Sequence, residues 1–86
     1  MSELCRFYGI IIRMFYGDHP PPHFHAVYQG EAIQVNINTL EIIQGRINRR
    51  AMALVLEWAA LHREELCRAW ELASTNQEPS KIPPLE

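Results

Sequence analysis

Along the first half of the chain apolar residues recur at every second position, and from about residue 49 they recur at helical spacing. Between Phe7 and Tyr16 one alternate set, Tyr8, Ile10, Ile12, Met14 and Tyr16, is apolar throughout, which predicts a strand with a core face. The other set carries Phe7, Gly9, Ile11, Arg13 and Phe15, so Arg13 is expected on the opposite face among large apolar neighbours. After a turn at Gly17-Asp18 and three consecutive prolines, His23 to Tyr28 alternates again, with Phe24, Ala26 and Tyr28 against His23, His25 and Val27. A Gln29-Gly30 turn leads to Glu31 to Ile37, where Ile33, Val35 and Ile37 share a face, and a turn at Asn38-Thr39 leads to a short strand from Glu41 to Gly45. Such short connections predict an antiparallel meander of four strands. With the apolar sets on one side, the other side collects Arg13, His23, His25, Gln34 and Asn36.

Asn48 is a good N-cap, and from Arg49 through at least Glu71 the spacing predicts one long helix. Ala51, Val55, Trp58, Ala59, His62, Leu66, Ala69 and Ala73 form its apolar stripe, with Glu57, Glu64, Arg68 and Glu71 on the far side. The expected fold is therefore α+β, a four-stranded antiparallel meander followed by one long C-terminal helix packed on one face of the sheet. Residues 1–75 make the single domain, and 76–86 form a Pro-rich tail that either docks through Ile82 and Leu85 or stays mobile.

Composition narrows the class. A chain of 86 residues supports one small core, and 48% hydrophobic content with 21% charged residues is that of an ordinary globular domain. The net charge of -2 lacks the basic surplus of most nucleic-acid binders. Charge is uneven, however, with Arg6, Arg13, Arg46, Arg49 and Arg50 against four acidic residues in the first fifty positions. No leader and no membrane-spanning run is read at the start, and Cys5 and Cys67 form no paired motif, so a cytoplasmic chain with free thiols and no membrane contact is expected.

Chemistry concentrates in Asp18-His19-Pro20-Pro21-Pro22-His23-Phe24-His25-Ala26, which holds three of the four histidines and three of the six prolines. The prolines stiffen the loop and lower the entropic penalty of holding His19 and His23 in place. His23 and His25 on one strand face, with Asp18 and His19 nearby, would be half of a zinc site, but no third and fourth ligand can be placed, so neither metal nor cofactor is expected. Histidine transfers protons in both directions near neutrality, and Arg13 would offset charge on a phosphodiester in flight, so a metal-independent ribonuclease with His23, His25 and Arg13 as catalytic residues is one candidate. An interaction surface on the same face is the other, with edge strands also open to a second copy of the chain. Arg46, Arg49 and Arg50 beside free helix-start N–H groups could take a phosphate or an acidic partner. His62, in the middle of the apolar stripe, reads as a core histidine with one nitrogen bonded to a neighbour.

The run Arg6-Phe7-Tyr8-Gly9-Ile10-Ile11-Ile12-Arg13-Met14, then Asp18-His19 leading into Pro21-Pro22-His23-Phe24-His25-Ala26, then Gly45, then Leu54-Val55-Leu56-Glu57-Trp58-Ala59 with His62 and Leu66, resembles the bacterial domain of unknown function numbered 4160. The resemblance spans nearly the whole chain and marks Arg13, Asp18, His19, His23, His25, Glu57, Trp58 and His62, which adds weight to Glu57 and His62. The chain departs from the family pattern at Thr39-Leu40, where Thr-Gly is expected, and at Asn48, where a proline is expected. Such proteins are small, cytoplasmic and often encoded beside another small domain, an arrangement suggestive of toxin-antitoxin pairs. The functional expectation is a small interaction module, one component of such a pair, binding a protein partner, with RNA as a second candidate ligand, through Arg13, His23 and His25. The ribonuclease is the alternative.

Overall fold

A turn at Tyr8-Gly9 divides the first expected strand into two. In the computed structural model, which describes residues 2–86, the elements run β1 (Ser2–Phe7), β2 (Ile10–Met14), β3 (His23–Tyr28), β4 (Glu31–Asn36), β5 (Ile42–Gly45), α1 (Arg49–Leu61) and α2 (Arg63–Ser74). The sheet is antiparallel with spatial order β1-β2-β3-β4-β5, so it has five strands where four were expected. The fold is α+β as anticipated.

The extra strand comes from backbone conformation. Tyr8 and Gly9 both have positive φ, 50° and 80°, the two-residue hairpin geometry whose twist suits flanking strands. Phe7 pairs with Ile10, and side chains of paired residues point the same way, so Phe7 enters the core at 6% exposure while Tyr8 stands out at 60%. The expected faces of Phe7 and Tyr8 are thereby exchanged. Tyr16, also expected in the core, lies beyond the end of β2 and is exposed. A register shift between Glu3 and Cys5 lets both Leu4 and Cys5 bury.

The long helix is also divided. His62, at φ -121° and ψ 26°, separates α1 from α2, its N–H reaching the carbonyls of Trp58 and Ala59 and its own carbonyl accepting from Leu66. A straight helix over residues 49–74 would run about 39 Å, longer than the molecule's greatest extent of 32 Å. Broken at His62, the two pieces bury Ala51, Val55, Trp58 and Ala59 and then Leu66, Ala69 and Ala73. Both join Leu4, Ile10, Ile12, Met14, Phe24, Ile33 and Val35 of the sheet in one core. The break at His62 leaves the apolar stripe in phase, and this is why periodicity does not reveal it.

The tail docks. Ile82 is buried and its N–H donates to the Leu4 carbonyl at 3.1 Å, Lys81 Nζ donates to the Glu3 carbonyl, and the Trp58 indole N–H donates to the Pro83 carbonyl at 2.8 Å. This lays the tail against the edge strand β1 and leaves β5 as the other sheet edge. Among the described residues no helix is long and apolar enough to cross a membrane.

Candidate functional site

The polar face of the sheet is built by register. Arg13 of β2 pairs with His25 of β3, His25 with Gln34 of β4, and Gln34 with Gln44 of β5, so four polar residues stand in one row across four strands. The last pairing depends on a register shift opposite Gln34 and Val35, which leaves Ile43 unpaired and 42% exposed. Gln34 Nε2 donates to Gln44 Oε1 at 3.4 Å. Asn36, expected on this face, instead uses its side-chain oxygen to accept from the N–H groups of Asn38 and Thr39, fixing the β4–β5 turn. That turn places Leu40 at φ 61°, which accounts for the chain turning here without the glycine that the family pattern suggests.

The loop between β2 and β3 supplies the rest. Gly17 N–H donates to the Ala73 carbonyl at 2.9 Å, tying the loop to the end of α2, and the Asp18 carboxylate accepts from the His19 N–H at 2.9 Å. Asp18 Oδ2 then lies 2.9 Å from His23 Nε2 and 3.5 Å from His25 Nε2. His23 is buried at 4% exposure, with its other nitrogen, Nδ1, donating to the Pro21 carbonyl at 2.7 Å and its ring 5.2 Å from that of Trp70. His25 is partly buried, with the Phe15 ring set edge-on at 4.4 Å. His19 is solvent-facing, its Nδ1 3.3 Å from Asp18 Oδ1. A cleft of about 410 Å³ opens over Asp18, His23, His25, Gln34 and Gln44, with Phe15 and Tyr16 on its wall.

Electrostatics follow from this packing. Burial opposes the charge on Asp18, but the His19 N–H, the bonds from His25 and His23 and the charge of His23 outweigh it and leave the carboxyl below its ordinary value. Burial pulls the His25 imidazole down, the charge of His23 acts in the same direction, and the Asp18 bond opposes both. The cleft therefore pairs a carboxylate with an imidazole that resists charging.

The remaining sequence candidates lie elsewhere. Arg46, Arg49 and Arg50 are exposed at the start of α1, where Asn48 Oδ1 already accepts from the N–H groups of Arg50 and Ala51. The helix-start donors expected to be free for an anion are thus partly taken by the N-cap itself. Arg50 and Glu57 line a separate groove of about 510 Å³ with Tyr8, Tyr28 and Leu85. His62 sits at the α1–α2 junction, partly buried, its ring 5.5 Å from that of Trp58 and Nδ1 bonded to Glu65. The bonded nitrogen is as expected, but His62 lies half-buried at a helix break and not in the core. Trp70 and Phe15 were not anticipated as walls of the site; nothing local signals that Trp70 in α2 meets His23 in β3.

No curated protein and no solved structure matches the chain. One family model, described as a domain of unknown function, matches residues 9–71, from the β1–β2 turn well into α2, and so takes in Arg13, the Asp18 loop, both strand histidines, Glu57 and His62. On that match the chain belongs to the family Domain of unknown function (DUF4160).

Proposed function

We propose that the protein is an interaction module, one component of a toxin-antitoxin-like pair, that docks a small protein partner encoded beside it onto the uncovered face of the sheet. The observation that carries this reading is the row Arg13, His25, Gln34 and Gln44, which stands on the face opposite the helices with Phe15 and Ile43 exposed beside it. A face of neutral polar groups, aromatic and aliphatic anchors, Arg13 and a mutually paired Glu3 and Arg6 has the make-up of a protein interface. RNA is the less favoured ligand, because Arg6 on this sheet is already paired with Glu3 and the three clustered arginines are at the helix start. The ribonuclease reading asks two histidines to exchange protons with substrate, whereas His23 is buried with both ring nitrogens engaged.

Co-expression with the neighbouring small protein, followed by light scattering on the purified material, tests the reading. A complex of fixed stoichiometry is expected, retained by Glu64→Arg on the helical layer and lost in the Gln34→Arg/Val27→Glu variant of the sheet face. No complex, or one indifferent to the face variant, refutes it, and self-association of the chain alone would point to a second copy as occupant. Growth arrest with RNA loss on expressing the wild type, absent with His25→Ala, would establish the ribonuclease instead.

A further inference from the structure

We propose that Asp18, His23 and His25 form a binding site for a divalent first-row transition-metal ion, zinc or one of its neighbours. The proposal rests on the geometry of the loop corner and stands whether or not the sheet face docks a partner.

One ligand atom from each residue points to a common place. The three atoms, Asp18 Oδ2, His23 Nε2 and His25 Nε2, lie within 4.8 Å of one another, with the two contacts to the carboxylate at 2.9 and 3.5 Å. For metal–ligand bonds of about 2.0–2.2 Å the ligand–ligand edge of a tetrahedral site is about 3.3 Å, between the two observed contacts. A modest turn of the His25 side chain toward His23, two residues away on the same strand β3, completes the triangle with the backbone in place.

The surroundings are those of a ligand set. A metal-bound histidine ordinarily donates its second ring N–H to a carbonyl or carboxylate, which fixes the tautomer and aims the other nitrogen at the ion. His23 does this: Nδ1–H donates to the Pro21 carbonyl at 2.7 Å, and Nε2 faces Asp18. With Nδ1 donating, the contact between His23 Nε2 and the carboxylate oxygen calls for a positively charged species, a proton or a metal ion. Trp70 against His23 and Phe15 against His25 supply an apolar wall, which keeps water off the protein side and strengthens attraction between the ion and its ligands.

Two imidazole nitrogens and one carboxylate oxygen favour borderline ions over magnesium or calcium, which want oxygen ligands. Three protein ligands leave coordination positions open to the cleft beside Gln34 and Gln44, where water or a group from a bound molecule completes the shell. In the sequence Asp18 and His19 are merely near the two histidines and no third ligand can be placed; the fold brings Asp18, seven residues before His25, to their shared point.

The test is titration of the apo protein with Zn²⁺ by calorimetry and with Co²⁺ by visible absorption, with Mg²⁺ as the control ion. One equivalent of Zn²⁺ and of Co²⁺ is expected to bind, Mg²⁺ not at all, and Zn²⁺ raises the melting temperature because it binds the folded state. Asp18→Asn and His25→Gln, both at partly exposed side chains and shape-conserving, are expected to weaken Zn²⁺ binding by about 100-fold or more while circular dichroism stays native. The Co²⁺ spectrum should lack the thiolate charge-transfer bands that Cys67 would contribute, and His62→Ala should bind as the wild type does. Absence of saturable Zn²⁺ binding, binding unaffected by Asp18→Asn and His25→Gln, or binding lost only with Cys67→Ser overturns the proposal and leaves Asp18 and His23 as a hydrogen-bonded pair that holds the loop.

Discussion

Replacing Gly45 by alanine tests how tightly β5 is set against β4, and with it the placement of Gln44 in the polar row. Gly45 has φ +82° and pairs with Ile33; a Cβ there would come 2.2 Å from the Ala32 carbonyl oxygen and 3.2 Å from its carbon. Those atoms belong to the neighbouring strand's backbone, so relief comes only if β5 moves away by about 1 Å, breaking ladder hydrogen bonds worth about 1 kcal/mol net each. Gly30 is the control, because it also has φ +82° but nothing lies within 4 Å of its Cβ position. Gly30→Ala carries only the left-handed backbone penalty, about 1–2 kcal/mol. Gly45→Ala carries that penalty plus at least two ladder bonds, about 3–4 kcal/mol in total, a large part of the 5–15 kcal/mol stability of a typical domain. Urea unfolding followed by tryptophan fluorescence reads both. With a slope of about 1 kcal/mol per molar for a chain of this size, the midpoints of the two variants should lie about 2 M apart. Midpoints within about 0.5 M of each other would refute the reasoning, since they would show that the β4–β5 contact yields without loss.

Two further predictions concern the other edge of the sheet. Burial, reinforced by the Glu3 charge and opposed by Lys81, pushes the Cys5 thiol up to about 12 from an ordinary 9.0. The unfolded chain then loses this proton first, so stability is undiminished below pH 9 and falls as pH rises toward 12. Melting curves at neutral pH and at a pH of about 10.5 should show a larger drop for the wild type than for Cys5→Val, and equal drops would exclude Cys5 as the cause. Trp58→Phe removes the indole donor to the Pro83 carbonyl and opens a void beside Phe7 and Phe24, for a combined loss of about 2–3 kcal/mol. Amide exchange in residues 79–86 should quicken more than in β3, and a tail that stays equally protected would show that the indole bond does not hold it.

Much of the fold was legible in local pattern. Alternation in His23 to Tyr28 and Glu31 to Asn36 assigned their core faces, because the period of a strand is imposed by its own backbone and one buried face leaves no freedom of register. Asn48 announced the start of α1 for an equally local reason, a side chain that satisfies helix donors two and three residues on. Two boundaries were not legible. Tyr8-Gly9 adopts a left-handed turn with an aromatic residue where Asn or Asp is usual, so its alternation reads straight through the hairpin. At His62 the break keeps the two helices within a molecule 32 Å in its greatest extent, and that extent is nowhere written in the helix sequence.

The site divides along the same line. The sequence by itself concentrates Asp18, His19, His23 and His25 in one stiff stretch and puts Arg13 and His25 on the face away from the core, since these follow from chain proximity and from the two-residue period of strands. Tertiary structure alone decided that Asp18 turns back onto both strand histidines, that His23 is sealed by Trp70, that Arg46, Arg49 and Arg50 have no part in the cleft, and that Gln44 completes the polar row. The reason is physical: a loop's direction, a bulge that shifts register by one residue and the fall of a helix across a sheet depend on packing between segments distant in the chain, and packing leaves no period in the sequence to read.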